Sequence, residues 1–130
     1  PPPPPLFFSQ HKTAYASRLS LVGSEMCIRD RLSSEKALER AGIKLEDIDV
    51  IEMNEAFAAQ SLACVKELGV DMSKLNIHGG AISMGHPLGA SGARITGKAA
   101  SLLKETGKRY ALSTMCVGGG QGCATVLERA

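Results

Sequence analysis

Glycines crowd one short stretch of this 130-residue chain: Gly79, Gly80, Gly85, Gly89 and Gly92 all fall within "GGAISMGHPLGASG". Glycine loses more conformational freedom on folding than any other residue, so such a cluster is costly unless backbone must turn sharply or approach a neighbour closely. A phosphate-cradling loop is the first reading to test, because Gly80 and Gly85 have the G-x-x-x-x-G interval. The next residues are His86 and Pro87, where a nucleotide-binding loop needs Lys and then Ser or Thr. That reading fails on chemistry. What remains is a histidine fixed between a glycine and a proline, with Pro87 biasing the His86 backbone toward extended conformations.

The flanks of this loop alternate in period. Ser33 and Ser34 precede "EKALERAG", which predicts a helix that starts near these serines and stops at Gly42. Ile48, Val50 and Ile51 predict a short buried strand ending near Asn54. A second helix follows in "EAFAAQSLACVKELG", with Phe57, Leu62, Val65 and Leu68 as its apolar stripe and Gly69 as its C-cap. A brief strand is expected over 75–78, a third helix over 91–106, and a terminal hairpin in "RYALSTMCVGGGQGCATVLERA". Helices alternating with strands indicate an α/β layered domain. Asn54, His86 and Cys116 all fall at strand ends or in the loop before a helix, where open α/β sheets form their sites.

Composition excludes several classes of function. Fifteen Lys and Arg scattered among thirteen acids, for a net charge of +2, give no basic face for nucleic acid. No apolar run approaches the roughly 18–20 residues of a membrane span. The four cysteines (Cys27, Cys64, Cys116 and Cys123) form no C-x-x-C pair, and no histidine stands at zinc-finger spacing, so no metal site is expected. With no secretory signal, free thiols in a reducing cytoplasm or organelle matrix are expected.

Residues 1–31 differ from everything after them. Five prolines open the chain, and no helical or strand period follows. The string "SLVGSEMCIRDR" is similar to adapter sequence read as protein in conceptual translations of raw reads, the alternative being a disordered leader. The expected organisation is therefore a leader over 1–31, carrying Cys27 with it, and a folded domain over 32–130.

Each candidate site residue has a bland reading. Asn54 suits a helix N-cap. Cys64 and Cys123 suit buried core thiols. Cys116 differs, because Gly118, Gly119 and Gly120 follow it and let backbone N–H groups turn toward a ligand as an oxyanion hole. A thiol in such surroundings can act as acid or base.

Taken together and in order, "NEAFAAQ", "GGAISMGHPLGASGAR" and "MCVGGGQG" resemble the three C-terminal signatures of the thiolase family, and the resemblance spans about 32–130. It implies a thiolase-fold C-terminal half with helices layered on a mixed sheet. It implies acyl transfer: cleavage or Claisen condensation of 3-ketoacyl-CoA through a cysteine acyl-enzyme, as in fatty acid β-oxidation. Coenzyme A would enter as substrate, with no other cofactor, and the intact protein would be a homo-oligomer. Cys116 matches the family's acid/base cysteine. His86 matches the histidine that activates the nucleophilic cysteine and helps stabilise the thioester enolate, and Asn54 the asparagine that positions a water in that same oxyanion site. Gly118 matches an oxyanion-hole donor. The nucleophilic cysteine itself belongs to a part of the family fold upstream of the match, and Cys27 does not stand in its motif. The resemblance further implies a five-stranded sheet whose first strand, also upstream, is central. The strands near Val50 and Ala111 would then either lack a neighbour or pair directly, with the helices packed less well. The rival readings are a ketoacyl synthase, which combines its nucleophile with two histidines, and a non-catalytic thiolase-like acyl carrier.

Overall fold

The β-branched pair Val50 and Ile51, with Glu52 and Met53, makes β1 (Val50–Met53), and all four of its residues are buried. In the computed structural model, which describes residues 24–118 and 120–130, β1 runs parallel to β2 (Tyr110–Val117). The register pairs Val50 with Ala111 and Met53 with Thr114. Backbone bonds of 2.9 Å from Asp49 N–H to Tyr110 O and from Asn54 N–H to Thr114 O extend the ladder at both ends. β3 (Gln121–Glu128) returns antiparallel to β2, from Val117↔Gln121 to Tyr110↔Glu128, giving a mixed sheet in the order β1-β2-β3.

Side chains alternate across a strand, so the sheet buries two faces. On one, Ile51 and Leu112 pack with Leu38 of α1 (Ser24–Ala41) and with Val65 and Leu68 of α2 (Ala58–Leu68). On the other, Val50 and Ala111 pack with Ala99, Leu102 and Leu103 of α4 (Ser91–Thr106). A single turn of helix, α3 (Ala81–Met84), lies within the glycine-rich loop. Full burial of a Val, Leu or Ile side chain is worth roughly 1.5–3 kcal/mol, so the Ile51–Leu112 and Val50–Ala111 contacts make the sheet the anchor of both layers.

Several expectations change. No gap separates the strands at Val50 and Ala111: they are direct neighbours, and α4 packs on them with Ala99, Leu102 and Leu103 at 0%, 2% and 2% exposure. The parallel ladder pairs the facing edges of the two strands, the second of the two arrangements expected. Among the described residues this helix already runs from Ser24, well ahead of the serines at 33 and 34, and continues to Ala41, where Gly42 (φ 68°) ends it as expected. Ser33 and Ser34 are helix-interior residues whose hydroxyls bond Asp30 O (3.0 Å) and Thr114 Oγ1 (3.1 Å). The expected boundary between residues 31 and 32 thus falls inside α1, and Asp30 is fully buried. Expectations for residues 1–23 and Gly119 lie outside the described residues.

The second helix buries a different face from the expected one. Phe57 and Leu62 are 51% and 63% exposed, while Gln60, Ser61 and Cys64 are buried. Polar Gln60 faces inward because Asp30 of α1 takes its amide, and the Cys64 thiol donates to the same carboxylate at 3.8 Å. Over 75–78 there is no strand, only a one-residue parallel bridge from Leu75 to Ile51.

Candidate active site

Asn54 ends β1 and is fully buried, its N–H still in the ladder to Thr114. It is not a helix cap: α2 starts four residues later, at Ala58, with Phe57 in the cap position. Its side chain turns instead to the glycine-rich loop, where Nδ2 lies 3.3 Å from His86 Nε2. The other ring nitrogen, Nδ1, lies 2.6 Å from Ser91 Oγ at the start of α4. Two residues from separate elements, 32 positions apart, therefore meet at the carboxyl end of β1.

The loop that presents His86 is cross-braced. Asn76 substitutes for a strand beside β1: its Oδ1 accepts the Met53 N–H and its Nδ2 donates to Met53 O, both at 2.9 Å. The Asn76 N–H donates to Ile51 O at 2.8 Å, and the residue takes a positive φ of 44° to do so, a conformation that Asn tolerates better than most residues. Glu55, next to Asn54, spans the gap to the loop. Its Oε1 accepts from Asn76 Nδ2 at 2.9 Å and its Oε2 from the Ile82 N–H at 2.8 Å, in the first turn of α3. A Cβ at Gly80 would meet the Glu55 carboxyl group, so a side chain there would push that carboxyl off its two hydrogen bonds. Lys98 of α4 completes the brace, donating to Gly79 O at 2.6 Å while pairing with buried Glu52 of β1 at 3.0 Å. Burial raises the Glu52 pKa, and the Lys98 ammonium opposes that shift.

Cys116 and Gly118 occupy the other part of the rim. Cys116 is half-buried near the end of β2, opposite Gly122 in the antiparallel register and two residues beyond Thr114, whose carbonyl holds Asn54. Gly118 is exposed in the turn that links β2 to β3. The hairpin returns against α1, where Cβ atoms at Gly120 or Gly122 would meet Arg29. The structure joins Asn54 to His86 directly and places Cys116 on the adjacent strand at the same end of the sheet.

The other two described cysteines separate. Cys64 is buried on α2, as expected, but Cys123 is exposed on β3 and is not a core thiol. β3 is the last strand of the described sheet, so its alternate residues face outward. Sequence reasoning passed over Glu55, Asn76, Ser91 and Lys98. Glu55 was within reach, because an acid adjoining Asn54 is an obvious brace for a loop beginning with two glycines. Asn76 was not, since a side chain that mimics a strand leaves no period.

A mixed-sheet α/β protein with a histidine-bearing glycine loop at its strand ends is the class that fold and rim define. The family model described as "Thiolase, C-terminal domain" matches residues 11–129, and the chain belongs to the thiolase family. It is 57% identical over 100 residues to a 3-ketoacyl-CoA thiolase of Vibrio vulnificus (strain YJ016), covering 75% of this chain and 26% of that protein. Among solved structures, it is similar to human mitochondrial 3-ketoacyl-CoA thiolase in complex with CoA, with a TM-score of 0.79 and 44% identity over 83% of this chain and 28% of that one. It is also similar to the Bacillus anthracis acetyl-CoA acetyltransferase, with a TM-score of 0.77 and 45% identity over 79% of this chain and 26% of that one. The chain thus spans about a quarter of the length of the relatives it matches. Among the described residues, no helix is long and apolar enough to cross a membrane.

Proposed function

We propose that this chain supplies the proton-handling side of a thiolase active site, in a protein that forms or cleaves 3-ketoacyl-CoA thioesters through an acylated cysteine. The observation that carries the reading is the Asn54–His86 contact at the sheet's rim, beside the strand that bears Cys116, in a chain of the thiolase family. The nucleophilic cysteine is supplied by the part of the family chain that these residues do not span. His86 takes the proton of that thiol on Nε2 as its sulfur attacks the acyl-CoA carbonyl, and the Cys116 thiol protonates the departing CoA thiolate. In condensation, the Cys116 thiolate then removes a proton from the methyl group of acetyl-CoA. The new C–C bond forms at the acyl-enzyme carbonyl, and the cysteine leaves as its C–S bond breaks, its thiolate recovering the proton held on His86. Cleavage runs the same steps backward.

Each role follows from where charge develops. A carbanion α to a thioester forms only if its oxygen is stabilised while a base takes the proton. Asn54 and His86 serve that oxygen, with a water held by Asn54, and the Gly118 N–H serves the tetrahedral intermediate. Coenzyme A is substrate here, with no further cofactor, and the working form is a homo-oligomer in the cytoplasm or an organelle matrix. A ketoacyl synthase is disfavoured by a cysteine at position 116, and a non-catalytic carrier by the retained Asn54, His86 and Cys116 together.

The test is Cys116→Ala in the protein expressed from the longer coding sequence. Mass spectrometry is expected to find partial acylation of the nucleophilic cysteine by acyl-CoA, while condensation falls below detection. Near-wild-type turnover would overturn the assignment. Binding of acyl-CoA by the unmutated protein, with neither acylation nor turnover, would favour the carrier.

A further inference from the structure

The contacts around His86 fix a direction for its protons. A neutral imidazole carries one N–H and one lone pair, and an amide nitrogen only donates. Asn54 Nδ2, 3.3 Å from Nε2, therefore needs the lone pair on Nε2, which leaves the ring proton on Nδ1. Nδ1–H then donates to Ser91 Oγ at 2.6 Å, and the serine hydroxyl donates in turn to Pro87 O at 3.1 Å. Every link from Asn54 to Pro87 holds one proton, with no donor facing a donor.

We propose that Ser91 is a positioning residue that keeps the His86 ring proton on Nδ1 and so reserves Nε2 as the base of the site. The inference rests on the proton-handling role given to His86 above. Ser91 suits the task because it is the first residue of α4 and not its cap: Ala90 occupies the cap position, so the hydroxyl turns back toward Pro87 and the ring. Ser91 is fully buried, which keeps water from competing for the Nδ1 proton. The partner bonded to one imidazole nitrogen decides which tautomer the other presents.

Asn54 gives the arrangement a second state. Its Oδ1 is buried and has no hydrogen-bond partner among the described residues. When Nε2 takes a proton, the Nδ2 contact becomes donor against donor. Rotating the amide by half a turn brings Oδ1 to accept the new N–H, while Ser91 Oγ continues to accept from Nδ1. Protonation and amide rotation are thus coupled, and Ser91 is the fixed end.

The 15N shifts of the histidine rings in the labelled 130-residue chain test this, with His86 assigned by comparison with His11→Gln and His78→Gln variants. In the neutral ring, Nδ1 is expected to be protonated and Nε2 to carry the lone pair. Ser91→Ala should erase that preference and Ser91→Thr, which keeps the hydroxyl, should retain it. An Nε2–H tautomer in the unmutated chain, or unchanged shifts in Ser91→Ala, would overturn the proposal. Should Ser91→Ala fail to fold by circular dichroism, Ser91→Cys, a poorer acceptor of similar size, replaces it with the same two outcomes. In the longer protein, Ser91→Ala should lower kcat roughly 10–100-fold, by analogy with loss of the partner that orients a metal-bound histidine, with KM little changed and with recovery in Ser91→Thr. A lost tautomer preference with unchanged turnover would leave the proton assignment standing but overturn the reservation of Nε2 as a catalytic base.

Discussion

The two parts of the rim are held by different means. Asn54 and His86 sit in a lattice of side-chain hydrogen bonds, in which Glu55, Asn76, Ser91 and Lys98 each tie one element to another. Cys116 and Gly118 instead sit on a hairpin whose geometry comes from backbone register and from glycines that allow close approach to Arg29. The first part fixes the direction of a ring and an amide. The second fixes only where a strand ends. A proton acceptor with two chemically distinct nitrogens needs the first kind of support, whereas a thiol, with one reacting atom on a short stem, needs much less.

The largest effect should come from the braced part. His86→Ala in the longer protein is expected to lower both acylation and condensation by roughly 10²–10⁴-fold, the usual range for removing a general acid or base, read by stopped-flow acylation and steady-state rates. Loss confined to one half-reaction would show that the two parts of the rim act independently. Next is the brace itself. Glu55→Ala removes two hydrogen bonds to a charged carboxylate and should cost roughly 3–4 kcal/mol in denaturant unfolding, whereas substitution of exposed Thr125 on the hairpin should stay within about 0.5 kcal/mol. Equal costs would erase the distinction between the two regions.

A third experiment addresses the α1–α2 contact beneath the hairpin. Burial raises the Asp30 carboxyl to about 6 from its ordinary 3.8, although the Cys64 and Gln60 bonds lower it. A carboxyl raised on folding contributes stability that is complete below the unfolded value and lost as pH climbs through the folded one. Stability should therefore fall between about pH 4 and pH 6. Asp30→Asn should flatten that slope and stabilise the chain at pH 7 by about 2–3 kcal/mol, measured by urea unfolding across the range. A slope unchanged by the substitution would place the titration elsewhere. The smallest effects separate the thiols: Cys64→Ala, which empties a buried site, should cost roughly 1–2 kcal/mol, and exposed Cys123→Ala should stay within about 0.5 kcal/mol.

How much of this was legible in the sequence depends on whether the information is periodic. The helix at Ser91–Thr106 and the strand at Val50–Met53 agree closely with their apolar spacing, and Gly42 and Gly69 end helices in left-handed conformations as read. The stripe drawn through Phe57 and Leu62 did not hold, because the tertiary partner of that helix is a carboxylate, Asp30, which draws Gln60 inward instead. The start of α1 was set too late for a related reason. Serines that resemble caps are stable mid-helix when their hydroxyls find Asp30 O and Thr114 Oγ1. At the site, the motifs named Asn54 and His86, but the hydrogen bonds that orient them run between residues 5 to 32 positions apart and leave no local pattern.

Asn76 has a consequence for how copies of this chain can meet. A sheet edge with free N–H and C=O groups is a template for another strand. At β1 that template is closed, with Leu75 bridging Ile51 and the Asn76 amide occupying both polar groups of Met53. A side-chain amide ends the ladder, because it has no further backbone to offer an incoming chain. That edge of the sheet therefore offers an incoming strand an amide and not a ladder.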